Sequence, residues 1–517
     1  MTMKMLFIFL ACFAGPDFDS AVLFLSGASS IEDLDETTIE RYTALQMHPV
    51  ELNFCSRSRL LSSGLMSAFQ AASLIDWRER SGDILSYAEL ALVDGFSPEY
   101  AEALKPFTRL SASGSPGHRS GHKLKQVLLL RSAAQYRGDD DLSYAGGFRY
   151  KASLGERAEL NWAARTTYSD KALLPGTISA AYYGRRYLGK IVLGHFNARF
   201  GQGLAIWNGF SMSPWSSVSA FRRSPTGISA TSSFSPAHCG LAADFDYKAW
   251  TFSAAYSFTD KMPIGALSYT GRRFTAGLNA CADAISADFR LGLPGAGLYG
   301  ELAWNKSPAA VLGCVWIPTY GTKIGGMARY SEGLAELAAG LSGRSIETVI
   351  YGSTKQFRFM GKYAPELNAG PVRISPALRL AACHKSGWRL ESRGEIGLDA
   401  YGWMAKCRLD IVHCAEHSWL FNAEAGRSEG RFKAWLRWTL FKVDEWDGRI
   451  YVYERDAPGS FNVPAYYGRG WALSLAAAWK PSAKHSCHLR ASALEYPWTA
   501  EHKSPKYEVK LQYQISL

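Results

Sequence analysis

After its N-terminal stretch the chain has no run of eighteen apolar residues, which excludes a helical membrane span. Its nine cysteines form no CxxC pair, so zinc-ribbon and thioredoxin-like sites are excluded too. Most stand singly in strand-like segments, where cysteine behaves as a small apolar residue. No HExxH, GxSxG elbow or P-loop occurs. The close histidine pair His118 and His122 is flanked by Gly117 and Gly121, which oppose the helix needed to aim both rings at one metal. Asp139, Asp140 and Asp141 read as a solvated polar turn. No cofactor, metal or catalytic residue is expected, and the chain reads as non-enzymatic. From residue 122 onward no linker interrupts the texture, so one large domain is expected to follow a small one.

What is present is alternation. Tyr507, Val509, Leu511, Tyr513, Ile515 and Leu517 share one parity, and Glu508, Lys510, Gln512, Gln514 and Ser516 share the other. Period two means a strand with one apolar and one polar face. Such a strand could close a soluble sandwich. Ending on Leu517 with Tyr513 on the apolar face, it has the character of the closing strand of an outer-membrane barrel. Residues 431–441 repeat the pattern, with Phe432, Ala434, Leu436, Trp438 and Leu440 opposite Arg431, Lys433 and Arg437. Aromatics at 13 % and 48 glycines suit many strands joined by tight turns. The fold class is therefore mainly β: a transmembrane antiparallel barrel over residues 122–517 with about 20 strands, within a range of 16–22, after a small all-α module. Counted back from Leu517, residues 497–504 and 454–465 fall on the outer side. Residues 480–483, 444–448 and 384–387 fall on the periplasmic side.

Residues 1–28 read as a secretory leader with two candidate cleavage regions, since Lys4 precedes an apolar run and a second apolar patch ends at Ser26, Gly27 and Ala28. Residues 29–110 read as helices. Ser86 and Glu89 make a capping box, and Pro98 opens a further helix. Residues 111–121 form a Ser/Gly linker.

Within the barrel region, residues 201–236 lose alternation but keep Trp207 and Trp215. They are too long for a turn and too aromatic for a solvated tail, so they are expected to fold into the lumen or across its mouth. Gly201, Gln202 and Gly203 begin this candidate plug, and Arg222 and Arg223 are placed to pair with lumen carboxylates.

Charge is split between the parts. Residues 29–110 carry 13 acidic against 7 basic residues, net −6; with −1 in the leader and +11 overall, residues 111–517 hold +18. A basic lumen follows, favouring anions unless its arginines pair with acids or tether lipopolysaccharide.

The order Leu52, Asn53, Leu60, Ile75, Trp77, Arg78, Gly82, Ser86, Leu90, Val93, Gly95 and Leu104 to Pro106 resembles the tandem helix-hairpin-helix module of competence-type DNA receptors. That resemblance implies a Gly-apolar-Gly turn in each hairpin, holding a DNA phosphate on backbone amides. Here the first turn reads Gly64, Leu65, Met66, Ser67 and the second Gly95, Phe96, Ser97, so each has lost a glycine. With its negative charge the module is expected to dock to the barrel mouth or a periplasmic protein, with nucleic acid disfavoured. Phe200 to Leu204, Trp207 and the stretch from Arg449 through Tyr466, Tyr467, Gly468 and Gly470 resemble the barrels that follow such a module in Bacteroidetes outer-membrane proteins. The resemblance implies a location in the outer membrane with the module in the periplasm. Membrane lipid and the barrel-assembly machinery are the expected partners. Three classes stay open: a channel or transport protein of unassigned solute, a DNA-uptake receptor, and an envelope-assembly or docking protein.

Overall fold

The computed structural model describes residues 18–112, 124–138, 141–184, 186–234, 236, 238–319, 321–499 and 503–517. His118, His122, Asp139, Asp140, most of the linker and the first part of the leader lie outside them.

Twenty-four antiparallel strands close into a barrel. The first, Leu124–Arg137, pairs with the last, Lys506–Ser516, from Val127 opposite Ser516 to Arg137 opposite Lys506. Leu517 and Gln126 exchange backbone hydrogen bonds of 2.8 and 3.1 Å, fixing the end of the chain to the rim where the barrel begins. Two short pieces, Gly227–Ala230 and Leu367–Ala369, extend their neighbours' ladders without adding to the ring. Alternation decides which side faces out. On the last strand Val509 and Leu511 are 45 % and 54 % exposed, while Glu508 and Gln512 are 6 % and 3 % exposed. The exterior is thus apolar and aromatic almost all round, with Trp162, Phe252, Leu302, Leu337, Leu380, Trp403 and Trp438 among its exposed residues. Among the described residues no helix is long and apolar enough to cross a membrane.

The strand number exceeds the expected 16–22. Several strands are only eight to ten residues long and turn through few residues: one residue, Lys306, separates Ala296–Asn305 from Ser307–Trp316, and Glu332 and Gly333 connect the next pair but one. Lys248, Lys261, Lys306, Glu332 and Tyr401 take positive φ in such turns, where asparagine or glycine would have marked a boundary. The expected sides of residues 444–448 and 384–387 are also reversed: both lie at the rim opposite the chain ends. The stretch after Gly448 gives only the two-residue ladder of Ile450–Tyr451 with Ala465–Tyr466, so residues 444–467 are one long connection and the parity of every earlier loop shifts.

Ahead of the barrel the described residues form six α-helices: α1 (Phe18–Ser26), α2 (Glu36–Met47), α3 (Arg57–Ser63), α4 (Ala68–Ser81), α5 (Tyr87–Leu90) and α6 (Pro98–Leu104). Side-chain oxygens of Asp35, Ser56, Ser67, Ser86 and Ser97 cap α2 to α6 in turn. Leu52, Leu60, Leu65, Leu74, Ile84, Leu90, Leu104 and Phe107 form a core, and the parallel pair Val50–Glu51 and Thr108–Arg109 ties its ends. Ala21 and Val22 of α1 are fully buried in that core. A leader ending at residue 28 would remove them and open a cavity. We therefore expect N-terminal sequencing of the mature protein to find a first residue upstream of Phe18; a start at Ser29 would show that α1 is not part of the working fold.

Candidate functional site

Inward-facing strand positions carry charge, and charge in a dry interior must find a partner. The helical module supplies it. A 3-10 turn, Ile31–Asp33, presents Glu32 to Arg393 and Arg408 and Asp33 to Arg379. One turn apart on α2, Glu36 meets Arg165 at 3.0 Å and Glu40 meets Arg149 at 2.5 Å. The Glu40–Arg149 pair is about 95 % buried on both sides, with side chains 5 % and 6 % exposed. From α3, Arg59 bonds Glu156 and Glu159, each at 3.2 Å, and Ser58 bonds Asp246 at 3.1 Å. Lys362 donates to the Ser29 carbonyl at 2.5 Å, and the Ser29 hydroxyl bonds Glu347. These partners sit on strands on both sides of the ring, so the module is lodged in the lumen.

Two connections complete the filling. In residues 201–236, the amides of Gln202 and Leu204 donate to Glu301 at 2.6 and 3.1 Å. Val218 and Phe221 pack on Val311, Met327, Val349, Tyr351 and Met360 of the wall. Gly325 permits this approach, since a Cβ there would lie 2.9 Å from Val218. Gly201 and Gly203 hold positive φ beside Glu301 and Trp207. The expected pairing of Arg222 and Arg223 with carboxylates does not occur. Arg223 donates to the Gly203 carbonyl at 3.1 Å and lies over the Trp207 ring, and among the described residues no carboxylate reaches either guanidinium within ion-pair distance. Of the lumen acids near this segment, Glu301 takes the two amides on one oxygen, Glu347 accepts from Ser29 and the Val218 amide, Asp288 from Asn279 and Glu336 from Tyr351.

In residues 449–467, the Pro458 carbonyl accepts from Arg131 at 2.9 Å and from Gln512 at 3.1 Å, and Asp456 meets Lys510 at 2.9 Å. Glu454 bonds Arg490 and Tyr466, and Arg455 bonds Glu424 at 2.8 Å. Glu32 also accepts the Tyr453 amide at 3.2 Å. One carboxylate thus joins module, wall and connection. Burial would raise its pKa, but Arg393 and Arg408 together hold it well below the usual carboxylate range. Burial raises the Glu40 carboxyl, with Arg149 opposing, and pushes His48 down to about 3, so that imidazole is neutral.

Neither hairpin turn is free. Leu65 and Met66 are buried in the module core, Ser67 caps α4, and Gly64 faces Arg41 and Thr226 inside the barrel. Gly95, at φ +89°, abuts the Phe69 ring, and its carbonyl accepts from Gln70 at 2.8 Å. The Phe96 amide bonds Val93, and Ser97 caps α6. Sequence reading missed Glu32, Glu40, Arg149, Arg393, Arg408 and Glu301; the opposed charges of the two parts were the signal that pointed at them.

No family model matches the chain, and no curated protein does. Among solved structures it is similar to the outer membrane protein opdK from Pseudomonas aeruginosa (TM-score 0.32, 10 % identity, covering 76 % of this chain and 99 % of that one). It is similar also to OccAB3 from Acinetobacter baumannii (TM-score 0.32, 9 % identity, 76 % and 100 % covered) and to the P pilus usher PapC translocation pore (TM-score 0.41, 6 % identity, 76 % and 99 % covered).

Glu32→Gln should loosen the lodged module by about 2 kcal/mol, because Arg393 and Arg408 keep Asp410 but lose the counter-charge that the module brings. Hydrogen exchange of residues 29–48 in the detergent-solubilised protein measures this, and exchange equal to wild type would refute it. The pH sign follows from the lowered pKa. Glu32's contribution is complete above the ordinary carboxylate value of about 4.3 and is lost as pH falls toward the lower value of the lodged state. His48 adds a second dependence of the same sign: burial holds the lodged imidazole at about 3, so protonation of the released one, of ordinary value about 6.5, favours loosening as pH falls below that value.

Proposed function

We propose that this chain is a non-enzymatic outer-membrane β-barrel of the channel or transport class, held closed by its own N-terminal helices. One observation carries this reading: the closed barrel turns apolar and aromatic side chains outward and ion pairs inward. Soluble monomers rarely expose contiguous apolar surface beyond a few hundred Å², whereas a bilayer requires it of the outer face. The rim carrying Leu517 faces the periplasm in this reading. The module enters from that side, so its location is periplasmic but within the lumen. Lipid surrounds the wall. The barrel-assembly machinery engages the last strand, where Leu517 and Tyr513 face outward.

Closure follows from the filling. Strands of the wall bond the module and residues 449–467, and residues 201–236 pack on a further part of it, so ions have no wide path until the module moves. The DNA-receptor alternative loses ground because the Gly64 turn faces the barrel interior and the Gly95 turn is engaged by Phe69 and Gln70.

The protein should fractionate with outer membrane and migrate differently on gels before and after boiling; recovery in the soluble fraction would refute the membrane reading. In planar bilayers the intact chain should conduct little. A chain lacking residues 18–112 should conduct severalfold more, and Glu32→Gln should open more often than wild type. If both behave as wild type, the module is not the gate. Deleting Leu517 should slow insertion more than it destabilises the finished barrel, as judged by membrane-fraction yield against the temperature at which heat-modifiability is lost.

A further inference from the structure

Many lumen cations meet carboxylates, as Arg149, Arg393, Arg408, Arg437 and Arg490 do. The wall of strands 285–331 is different. Arg222 follows Phe221, which packs on the inner wall, and its own side chain is exposed. Arg290, on the strand Ile285–Leu293, bonds the backbone of the next residue, Arg223, and Lys323 begins the strand Lys323–Ser331, on which a Cβ at Gly325 would lie 3.0 Å from Phe221. Both positions are near the rim that carries the chain ends. Lys323 is exposed and Arg290 half-buried, and the Arg290 guanidinium is anchored by a 2.6 Å bond to the Arg223 carbonyl. Among the described residues no carboxylate stands within ion-pair distance of any of the three. The nearby acids are engaged elsewhere: Asp288 accepts from Asn279 at 2.9 Å, and Glu347 accepts from Ser29 and the Val218 amide. Tyr100 of α6 and Tyr299 of the wall flank Arg222, with their hydroxyls already donated to the carbonyls of Leu65 and Phe221.

Three neighbouring cations with no counter-charge in contact form a receptor for an anion. We infer that Arg222, Arg290 and Lys323 bind a small carboxylate- or phosphate-bearing solute in a vestibule between the module and the wall of strands 285–331. As the solute site of the proposed channel, this inference rests on that reading, but binding can be measured apart from conduction. The segment bearing Arg222 also packs on the wall through Val218 and Phe221, which holds the guanidinium in place whether or not a ligand is bound.

The test is calorimetric titration of the full chain in detergent at low ionic strength, with inorganic phosphate in one arm and succinate in the other. Saturable binding is expected in at least one arm, weakened about tenfold by Arg222→Gln and by Lys323→Gln, since each removes a charge-assisted contact. Arg222→Lys should retain most of it. Arg373→Gln, at the same rim but already bonded to Asp399 at 3.2 Å, should change nothing. Absence of saturable binding in both arms, or undiminished binding by the R222Q/K323Q double variant, would overturn the inference. Normal binding by a protein that never conducts would leave the site standing and overturn the channel reading instead.

Discussion

The meeting of Glu32 with Arg393 and Arg408 shows what the structure depends on: a basic lumen wall that cannot be left dry and unpaired. An isolated buried charge is heavily penalised, and attraction to a partner offsets that penalty only where geometry and further hydrogen bonds are good. Here they are supplied. Asp410 shares Arg393 and Arg408 with Glu32, and the Tyr453 amide takes up a further lone pair on the carboxylate. The excess of acid on residues 29–110 and of base on the barrel are two halves of one interface. Neither half would be tolerable in its final place without the other.

That interface follows from size. A ring of twenty-four strands encloses more space than its own inward side chains can fill, and barrels of this breadth hold either water or a plug. This chain fills the space from three places in its sequence: the N-terminal helices, residues 201–236 and residues 444–467. The two connections sit at the rim opposite the chain ends, while Arg59 of the module reaches Glu156 in a turn at the chain-end rim. The filling therefore comes from both ends of the barrel.

How much of this could be read beforehand differed by the range of the interaction involved. Alternation is local, and it was legible: residues 507–513 alternate in exposure as they do in sequence. Helix caps are local too, and Ser86 and Ser97 cap the helices they precede. Strand number was less legible, because turns built on Lys248 or Lys306 place a lysine, rather than glycine or asparagine, at the positive-φ position. The sides of the loops failed through one error. Residues 449–453 have strand composition but spend it on a short ladder inside the lumen, and a period-two pattern cannot tell a wall strand from that. Pairings were not legible at all. Net charges of −6 and +18 predict attraction, but nothing local says that Glu40 meets Arg149 while Arg222 meets no carboxylate. Those outcomes depend on where residues hundreds of positions apart come to rest.

The same division explains why the module can serve as a movable part. Its apolar core is almost wholly its own: among the described residues, every buried member of that cluster lies between Ala21 and Phe107, and from the barrel and its connections only Met212, Tyr453 and Phe461 pack against it. Its contacts to the wall are otherwise polar, through Glu32, Asp33, Glu36, Glu40, Ser58, Arg59 and Ser62. Water can replace partners of that kind once the module leaves, whereas it cannot replace an apolar contact. Interfaces between moving domains are polar for this reason. Gly64 and Gly95 fit the same account. Their positive φ angles serve close packing within the module and against its neighbours, so the hairpins keep the geometry that folding needs. A unit that holds its own core and meets its surroundings through ion pairs can leave the lumen folded, exposing little apolar surface and leaving the basic wall to solvent and to anions.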